Sequence, residues 1–104
     1  MTSFQAGVTS RLKTIGQSYG LEFEFQEKGV HAVSRFEWKD EETLLLVSDG
    51  ELIFEFDGEH YFETPEDPNS TEVLQFCEFV RLCLEGLPPK EALASAKQSA
   101  SHAR

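Results

Sequence analysis

The sequence has no apolar run near the roughly 18–20 residues that a membrane-spanning helix needs. Its first residues, MTSFQAGVTSRLKTIG, contain no continuous apolar stretch, so they do not resemble a secretory signal. The chain also lacks a phosphate-binding glycine loop and the GxGxxG, GxSxG and HExxH motifs. These absences predict a cytoplasmic protein without membrane contact, and no motif indicates an enzyme.

Cysteine is scarce, and the two that occur are not arranged for a metal or a disulfide. Cys77 and Cys83 stand six positions apart in a helical pattern, which turns their side chains away from each other. No CxxC or paired Cys/His spacing indicates zinc. We therefore predict two buried cysteines that act as small hydrophobic residues, and we expect no cofactor.

Positive charge is scarce as well: 9 Lys and Arg residues stand against 19 Asp and Glu residues, for a net charge of −10. Fifteen of the acids lie between Glu22 and Asp67, and the segment 21–67 alone carries −12. A field of this sign repels phosphate backbones and anionic lipid and attracts basic proteins. The composition therefore predicts a protein partner that is basic or partly apolar, and neither direct nucleic-acid binding nor membrane binding.

The chain does contain enough apolar material for one core. Its 104 residues are 39% hydrophobic and include nine Phe, so residues 1–104 are predicted to form a single domain. Apolar residues at helical spacing predict a helix over 3–19. Further helices are predicted over 70–85 and 89–99, before a frayed tail at 100–104.

Between the first two helices, apolar and polar residues alternate with the period of a β-strand. The alternation predicts a sheet over 21–64, with strands at 21–25, 30–38, 44–47, 51–56 and 60–64. Three dipeptides are typical of tight turns: Lys28-Gly29, Asp49-Gly50 and Asp57-Gly58. Residues 39–42 are predicted to form a charged loop. The predicted fold class is α+β: an N-terminal helix, a five-stranded antiparallel meander and two C-terminal helices.

Turn geometry assigns side chains to the two faces of the sheet. A two-residue turn at Asp49-Gly50 pairs residue 46 with 53 and 44 with 55, and cross-strand partners share a face. If Asp57-Gly58 is a two-residue turn as well, residue 53 pairs with 62 and 55 with 60. One face is then the core. The other has an apolar centre and an acidic margin, formed by Leu44, Leu46, Ile53 and Phe62 with Glu37, Glu51 and Glu55.

Two alternatives remain for this second face and for the second helix, which is apolar on more than one side. In the first, helices one and three flank the second helix, or helix three folds over the second sheet face. In the other, the surplus apolar area forms a homodimer or partner interface.

His60 and Glu55 are the best candidates for chemistry. The same register places them opposite each other, where a carboxylate beside an imidazole can support proton transfer or metal binding. However, no Ser or Cys nucleophile is placed near them, and opposite charges across strands are ordinary sheet stabilisers. We expect a structural pair, with no catalytic residue and no metal site.

Eight carboxylates in and beside the predicted strands could instead imitate the phosphates of a nucleic acid and block a DNA-binding protein: Glu22, Glu24, Glu37, Glu51, Glu55, Asp57, Glu59 and Glu63. That function requires regular spacing on one continuous face with little apolar area between the charges. The alternative is a solvated coat that keeps a Phe-rich protein soluble.

The function predicted first is a non-enzymatic protein-binding module of the inhibitor, immunity, antitoxin or small chaperone type. Its partner-binding residues are the four apolar and three acidic residues of the second face. The apolar ones supply desolvation energy, and the acids steer and select the partner. A homodimer is expected. The nucleic-acid mimic, and a small enzyme or metal protein centred on His60 and Glu55, are the alternatives.

Overall fold

The computed structural model describes residues 1–56, 58–67 and 69–102. Its elements follow in the order α1 (Ser3–Ser18), β1 (Gln26–Lys28), β2 (His31–Trp38), β3 (Glu41–Ser48), β4 (Glu51–Phe56), β5 (Glu59–Glu63), α2 (Thr71–Glu85) and α3 (Pro89–His102). One helix precedes a five-stranded antiparallel sheet, and two helices follow it. The predicted α+β fold class is confirmed.

Helix α1 begins at a capping box and presents one apolar stripe to the core. The hydroxyl of Thr2 accepts the backbone N–H of Gln5, and the Gln5 side chain accepts the backbone N–H of Thr2. Side chains three and four positions apart then face inward, and Val8 and Leu12 are fully buried. The helix ends at residue 18, and Gly20 follows with a left-handed φ of +75°.

Residues 21–25 form no strand, so the first predicted strand is wrong. They run extended between α1 and β1, which begins only after them. The alternation has another cause: Phe23 is buried in the core while Glu22 and Glu24 are exposed. The Phe23 ring packs on Phe36, with 4.7 Å between the ring centroids. An extended segment that lies on a core shows period-two burial without any hydrogen-bonded neighbour.

The sheet is a meander in which each strand pairs antiparallel with the next, in the order β1-β2-β3-β4-β5. The register predicted from the Asp49-Gly50 turn is confirmed, since Leu46 lies opposite Ile53. The pairing of Ile53 with Phe62 is confirmed too. Asp57, in the next predicted turn, lies outside the described residues.

The turn between β1 and β2 lies one residue later than predicted. Lys28 pairs with His31, which leaves Gly29 and Val30 as the two connecting residues. Gly29 adopts a left-handed φ of +63°, as tight hairpin turns require.

The predicted charged loop at 39–42 is also wrong. Lys39 and Asp40 alone form the turn, with left-handed φ values of 54° and 65°, and the two following glutamates open β3. Two left-handed residues match the twist of the flanking strands, and in this turn that geometry prevails over the usual preference for Gly or Asn.

Helix α2 is the centre of the helical layer. It packs against α1 and α3, and its inner face lies on the sheet, where the Phe79 ring meets Phe54 edge-on with 5.4 Å between centroids. Its apolar side chains are therefore largely covered within the fold, and the alternative in which the neighbouring helices flank it is confirmed. Leu74 is the large apolar side chain of α2 that stays 45% exposed.

Helix α3 continues beyond the predicted bound at residue 99. Residues 100–102, predicted as part of a frayed tail, are helical, and 103–104 lie outside the described residues. No Gly or Pro interrupts this segment, and Ala has the highest helix propensity. Ala92 and Ala96 are fully buried, because small side chains let α3 approach α2 closely.

One hydrophobic core fills the space between the helical layer and one face of the sheet. Its most buried sheet residues come from β3 and β4, namely Leu45, Val47, Leu52 and Phe54. In the described ranges, none of the helices combines the length and apolar character that crossing a membrane requires.

Candidate functional site

The helices pack on one face of the sheet, and no described helix covers the other, which we call the open face. Its apolar row consists of partners in register across four strands: Val33 pairs with Leu46, Leu46 with Ile53, and Ile53 with Phe62. Leu44 lies beside this row, two residues along β3. Helix α3 packs on α2 at the core side of the sheet, so it does not cover this face.

Exposure increases along the row toward the edge of the sheet. Val33 is 9% exposed, Leu46 and Ile53 are half-buried, and Phe62 on the edge strand is 70% exposed. A contiguous apolar surface rimmed by polar residues is typical of an interaction site on a soluble protein.

Charged side chains surround the apolar row. Arg35 Nη1 lies 3.7 Å from Glu42 Oε1, and His60 Nε2 lies 3.6 Å from Glu55 Oε2. All four side chains are well exposed, so water screens these pairs and they contribute little to stability. Their charges therefore remain available to a partner.

The seven residues predicted to bind a partner share the open face: Leu44, Leu46, Ile53, Phe62, Glu37, Glu51 and Glu55. The structure adds basic groups from the other side of the face. Lys28 pairs with His31, whose Nδ1 is hydrogen-bonded to Ser48 Oγ at 2.5 Å, and Arg35 follows along β2. The sequence contains a signal for these basic groups, because the alternation in β2 places His31 and Arg35 on the same face as Val33.

His60 and Glu55 are cross-strand partners, as the predicted register requires. Both face solvent beside apolar side chains of the open face. Among the residues that the structure describes, no three His, Cys, Asp or Glu side chains are grouped so as to hold a metal ion. This arrangement favours charge pairing with a partner over proton transfer in a protected site.

A groove of about 200 Å³ runs along β5 and is lined by residues of this edge strand, α2 and α3. Its charged lining includes Glu63 and Lys97. Burial raises the pKa of Glu63; the positive charge of Lys97 opposes this shift, and the negative charge of Glu72 adds to it. Because Phe62 lines the groove as well, the groove and the open face are continuous at the sheet edge.

Both cysteines are buried in α2. Burial raises the pKa of Cys77 to about 11 and the pKa of Cys83 to about 12. Thiols with such pKa values stay protonated at neutral pH, so they are poor nucleophiles and poor metal ligands.

The eight carboxylates considered as an imitation of nucleic-acid phosphates do not share one face of the structure. Three belong to the open face, whereas Glu59 and Glu63 share the opposite face, since they pair with core-face residues of β4. Glu22 and Glu24 lie on the extended segment before β1, and Asp57 is outside the described residues. The described members therefore do not form one continuous acidic face.

No protein-family model matches the chain. No curated protein and no solved structure is significantly similar to it.

Proposed function

We propose that this protein is a small, non-enzymatic binding module that acts in the cytoplasm and holds another protein surface against its open face. The observation that carries the proposal is the apolar row that crosses four strands and ends at Phe62, whose side chain is 70% exposed. Covering this row removes apolar area from water, which is the main driving force of association.

The charges of the chain support a protein as the partner. A net charge of −10 accelerates encounter with a basic surface and slows encounter with nucleic acid. Glu51 and Glu55 border the apolar row and can pair with Lys or Arg at the rim of a partner. An inhibitor, an immunity protein, an antitoxin or a small chaperone would use the face in this way.

The same geometry supports protein binding better than imitation of nucleic acid. A mimic needs regularly spaced carboxylates with little apolar area between them. Here the carboxylates of the open face lie on either side of an apolar row, and Glu59 and Glu63 belong to the other face.

The test is affinity capture from cells that produce the protein, followed by identification of the retained chains. Phe62→Asp and Ile53→Asp place a charge in the apolar row, so we expect each to lose the partner that the wild type retains. Leu74→Asp is the matched control, because Leu74 is an exposed apolar residue on α2, away from the open face.

The fold of each variant is checked by circular dichroism, and Phe62→Asp is the safer variant because its side chain already faces solvent. The proposal fails if no protein, the chain itself included, depends on Phe62 or Ile53 for retention. It also fails if Leu74→Asp loses the same partner as the open-face variants.

A further inference from the structure

At two levels of the open face, a basic or imidazole group and a carboxylate lie on opposite sides of the central strand β3. Leu44 has Arg35 of β2 on one side and Glu55 of β4 on the other. Four residues along β3, Ser48 is hydrogen-bonded to His31 of β2 on one side and pairs with Glu51 of β4 on the other. At these two levels the basic or imidazole group lies on β2 and the carboxylate lies on β4. Other charged groups of the face depart from this plan, since Glu37 lies on β2 and His60 lies on β5.

Three members of the apolar row follow the same plan, while Phe62 on β5 has Gln26 of β1 as its counterpart. Leu46 of β3 lies between Val33 of β2 and Ile53 of β4. These three levels have the same plan: a β2 residue, a β3 residue and a β4 residue, with an acid opposite a basic or imidazole group, or with apolar residues throughout. A fourth level, where Glu37 of β2 pairs with Glu42 of β3, carries carboxylates instead.

We infer that the open face binds a second copy of this chain, with the two sheets packed face to face about a two-fold axis that runs along β3. This rotation lays β2 of one chain over β4 of the other. Arg35 then faces Glu55 of the second copy, and Val33 faces Ile53. His31 faces Glu51, Leu46 meets its own counterpart, and each off-axis contact occurs twice.

The charges select this axis over the other two-fold arrangement. An axis across the strands would exchange the two ends of each strand, so that Glu55 would face Glu51 of the second copy. That arrangement opposes like charges at an interface, which is strongly unfavourable. The axis along β3 instead opposes Arg35 to Glu55; both side chains are exposed, and their pairs within one chain are long, at 3.7 Å from Arg35 to Glu42 and 3.6 Å from His60 to Glu55.

The size of the face is sufficient for a dimer. Five strands about 4.8 Å apart and about six residues long, with a rise near 3.4 Å, give a face of roughly 500 Å² in projection. Two such faces together reach the total of about 1,000 Å² that a specific interface requires, before side-chain relief is added. Aligned sheets pack about 10 Å apart, within reach of Arg and Glu side chains.

This dimer also brings carboxylates together at the level where Glu37 pairs with Glu42. Glu42 lies near the axis at one end of β3, so it approaches Glu42 of the second copy, although Arg35 lies 3.7 Å away in its own chain. Replacing Glu42 by Gln removes this repulsion, so we expect Glu42→Gln to strengthen the dimer at low salt.

The inference rests on the proposed function, because it names the protein surface that the open face holds. Its test uses the full chain and measures absolute mass by light scattering after size exclusion over a range of concentrations. The wild type is expected at twice the chain mass of 11.8 kDa. Arg35→Glu and Glu55→Arg, each alone, oppose like charges across the interface, so we expect dimerisation to weaken roughly tenfold or more.

An equimolar mixture of the two variants provides the decisive measurement. In a mixed dimer, both Arg35–Glu55 contacts again join opposite charges, so the mixture should recover the dimer that each variant alone has lost. Lys13→Glu, an exposed residue of α1 with the same change in charge as Arg35→Glu, should leave the dimer intact. Circular dichroism confirms that every variant is folded.

Three results would overturn the inference: a wild type that stays monomeric at millimolar concentration, single variants that remain dimeric, or a mixture that does not recover the dimer. If the protein is a monomer and its open face still retains another protein, the inference that the face binds a second copy is wrong, but the proposed function stands. A dimer that is insensitive to Ile53→Asp would place self-association on another surface and count against both.

Discussion

Phe23 lies so close to Gly16 that a methyl group built on Gly16 would sit 2.9 Å from Phe23 Cε2 and 3.2 Å from the carbonyl oxygen of Leu21. The chain turns back at this point, where the N–H of Leu21 donates to the carbonyl of Gly16 at 2.9 Å. Gly16 therefore lets the extended segment after α1 press against the helix, and this contact offsets the low helix propensity of Gly.

Gly16→Ala is expected to destabilise the protein by about 1–2 kcal/mol, because the clash with an aromatic ring and the backbone exceeds the gain in helix propensity. Urea denaturation measures the change in the free energy of unfolding. Phe23→Leu supplies a smaller, more adaptable side chain. The double variant Gly16→Ala with Phe23→Leu should therefore lose less free energy of unfolding than the sum of the losses in the two single variants. An increase in stability for Gly16→Ala alone would contradict this interpretation.

Gln5 links α1 to the sheet through hydrogen bonds. Its buried side chain donates from Nε2 to the carbonyl oxygens of Val30, at 2.8 Å, and Val47, at 3.0 Å. Gln5→Leu leaves both acceptors without this donor, so we expect a loss of about 2 kcal/mol in the free energy of unfolding. Gln17→Leu, at an exposed position of the same helix, should change stability by less than about 0.5 kcal/mol. Equal effects at the two positions would exclude the proposed role of Gln5.

The turn at Lys39 and Asp40 offers a stabilising substitution. Asp40 has a φ of 65°, where Gly is free of the steric cost that a side chain incurs. Asp40→Gly should therefore raise the free energy of unfolding by about 0.5–1 kcal/mol while Lys39 stays over the Trp38 ring. At Asp49, whose backbone is not left-handed, the same substitution should have the opposite sign, and thermal denaturation of both variants compares them.

Glu63 makes stability depend on pH. Burial in the groove beside β5 raises its pKa above the ordinary value of 4.5, so the folded state binds this proton more tightly than the unfolded state. The contribution therefore becomes more unfavourable as the pH rises from 4.5 to the folded-state pKa and stays constant above it. It vanishes well below 4.5, where both states are protonated. Glu63→Gln should exceed the wild type in stability at neutral pH and match it in acid.

Urea denaturation across pH tests this prediction. Glu66→Gln, at an exposed position just after β5, is the control for the loss of one negative charge. If both variants raise stability equally at neutral pH, the effect comes from net charge and not from burial of Glu63.

The register of the sheet could be predicted because its turns leave little freedom. Asp49-Gly50 admits a two-residue hairpin, which places Leu46 against Ile53, and a second two-residue turn predicted at Asp57-Gly58 places Ile53 against Phe62. The residues of the open face follow directly. The positions of Arg35 and His31 relative to β3 could not be predicted in the same way, because they depend on the register between β2 and β3. That register is set by the two-residue turn at Lys39 and Asp40, and the charged composition of 39–42 predicts a longer loop there.

Other features depend on tertiary packing that local pattern does not determine. Period-two burial at residues 21–25 is the same for a paired strand and for an extended chain pressed on a core through Phe23. An apolar helix such as α2 is compatible with flanking helices and with an interface. Only the position of α2 between α1 and α3 decides that the surplus apolar area lies on the sheet instead.

The order of the elements has a consequence for synthesis on the ribosome. Every strand pairs with its neighbour in sequence, so the sheet can form by successive hairpins as the chain emerges. Helix α2, which covers Phe54, follows the last strand. Until that helix has left the exit tunnel, the nascent sheet presents apolar side chains on both faces. The nascent chain therefore exposes more apolar surface in this interval than in the finished fold, and apolar surface that is exposed transiently promotes aggregation.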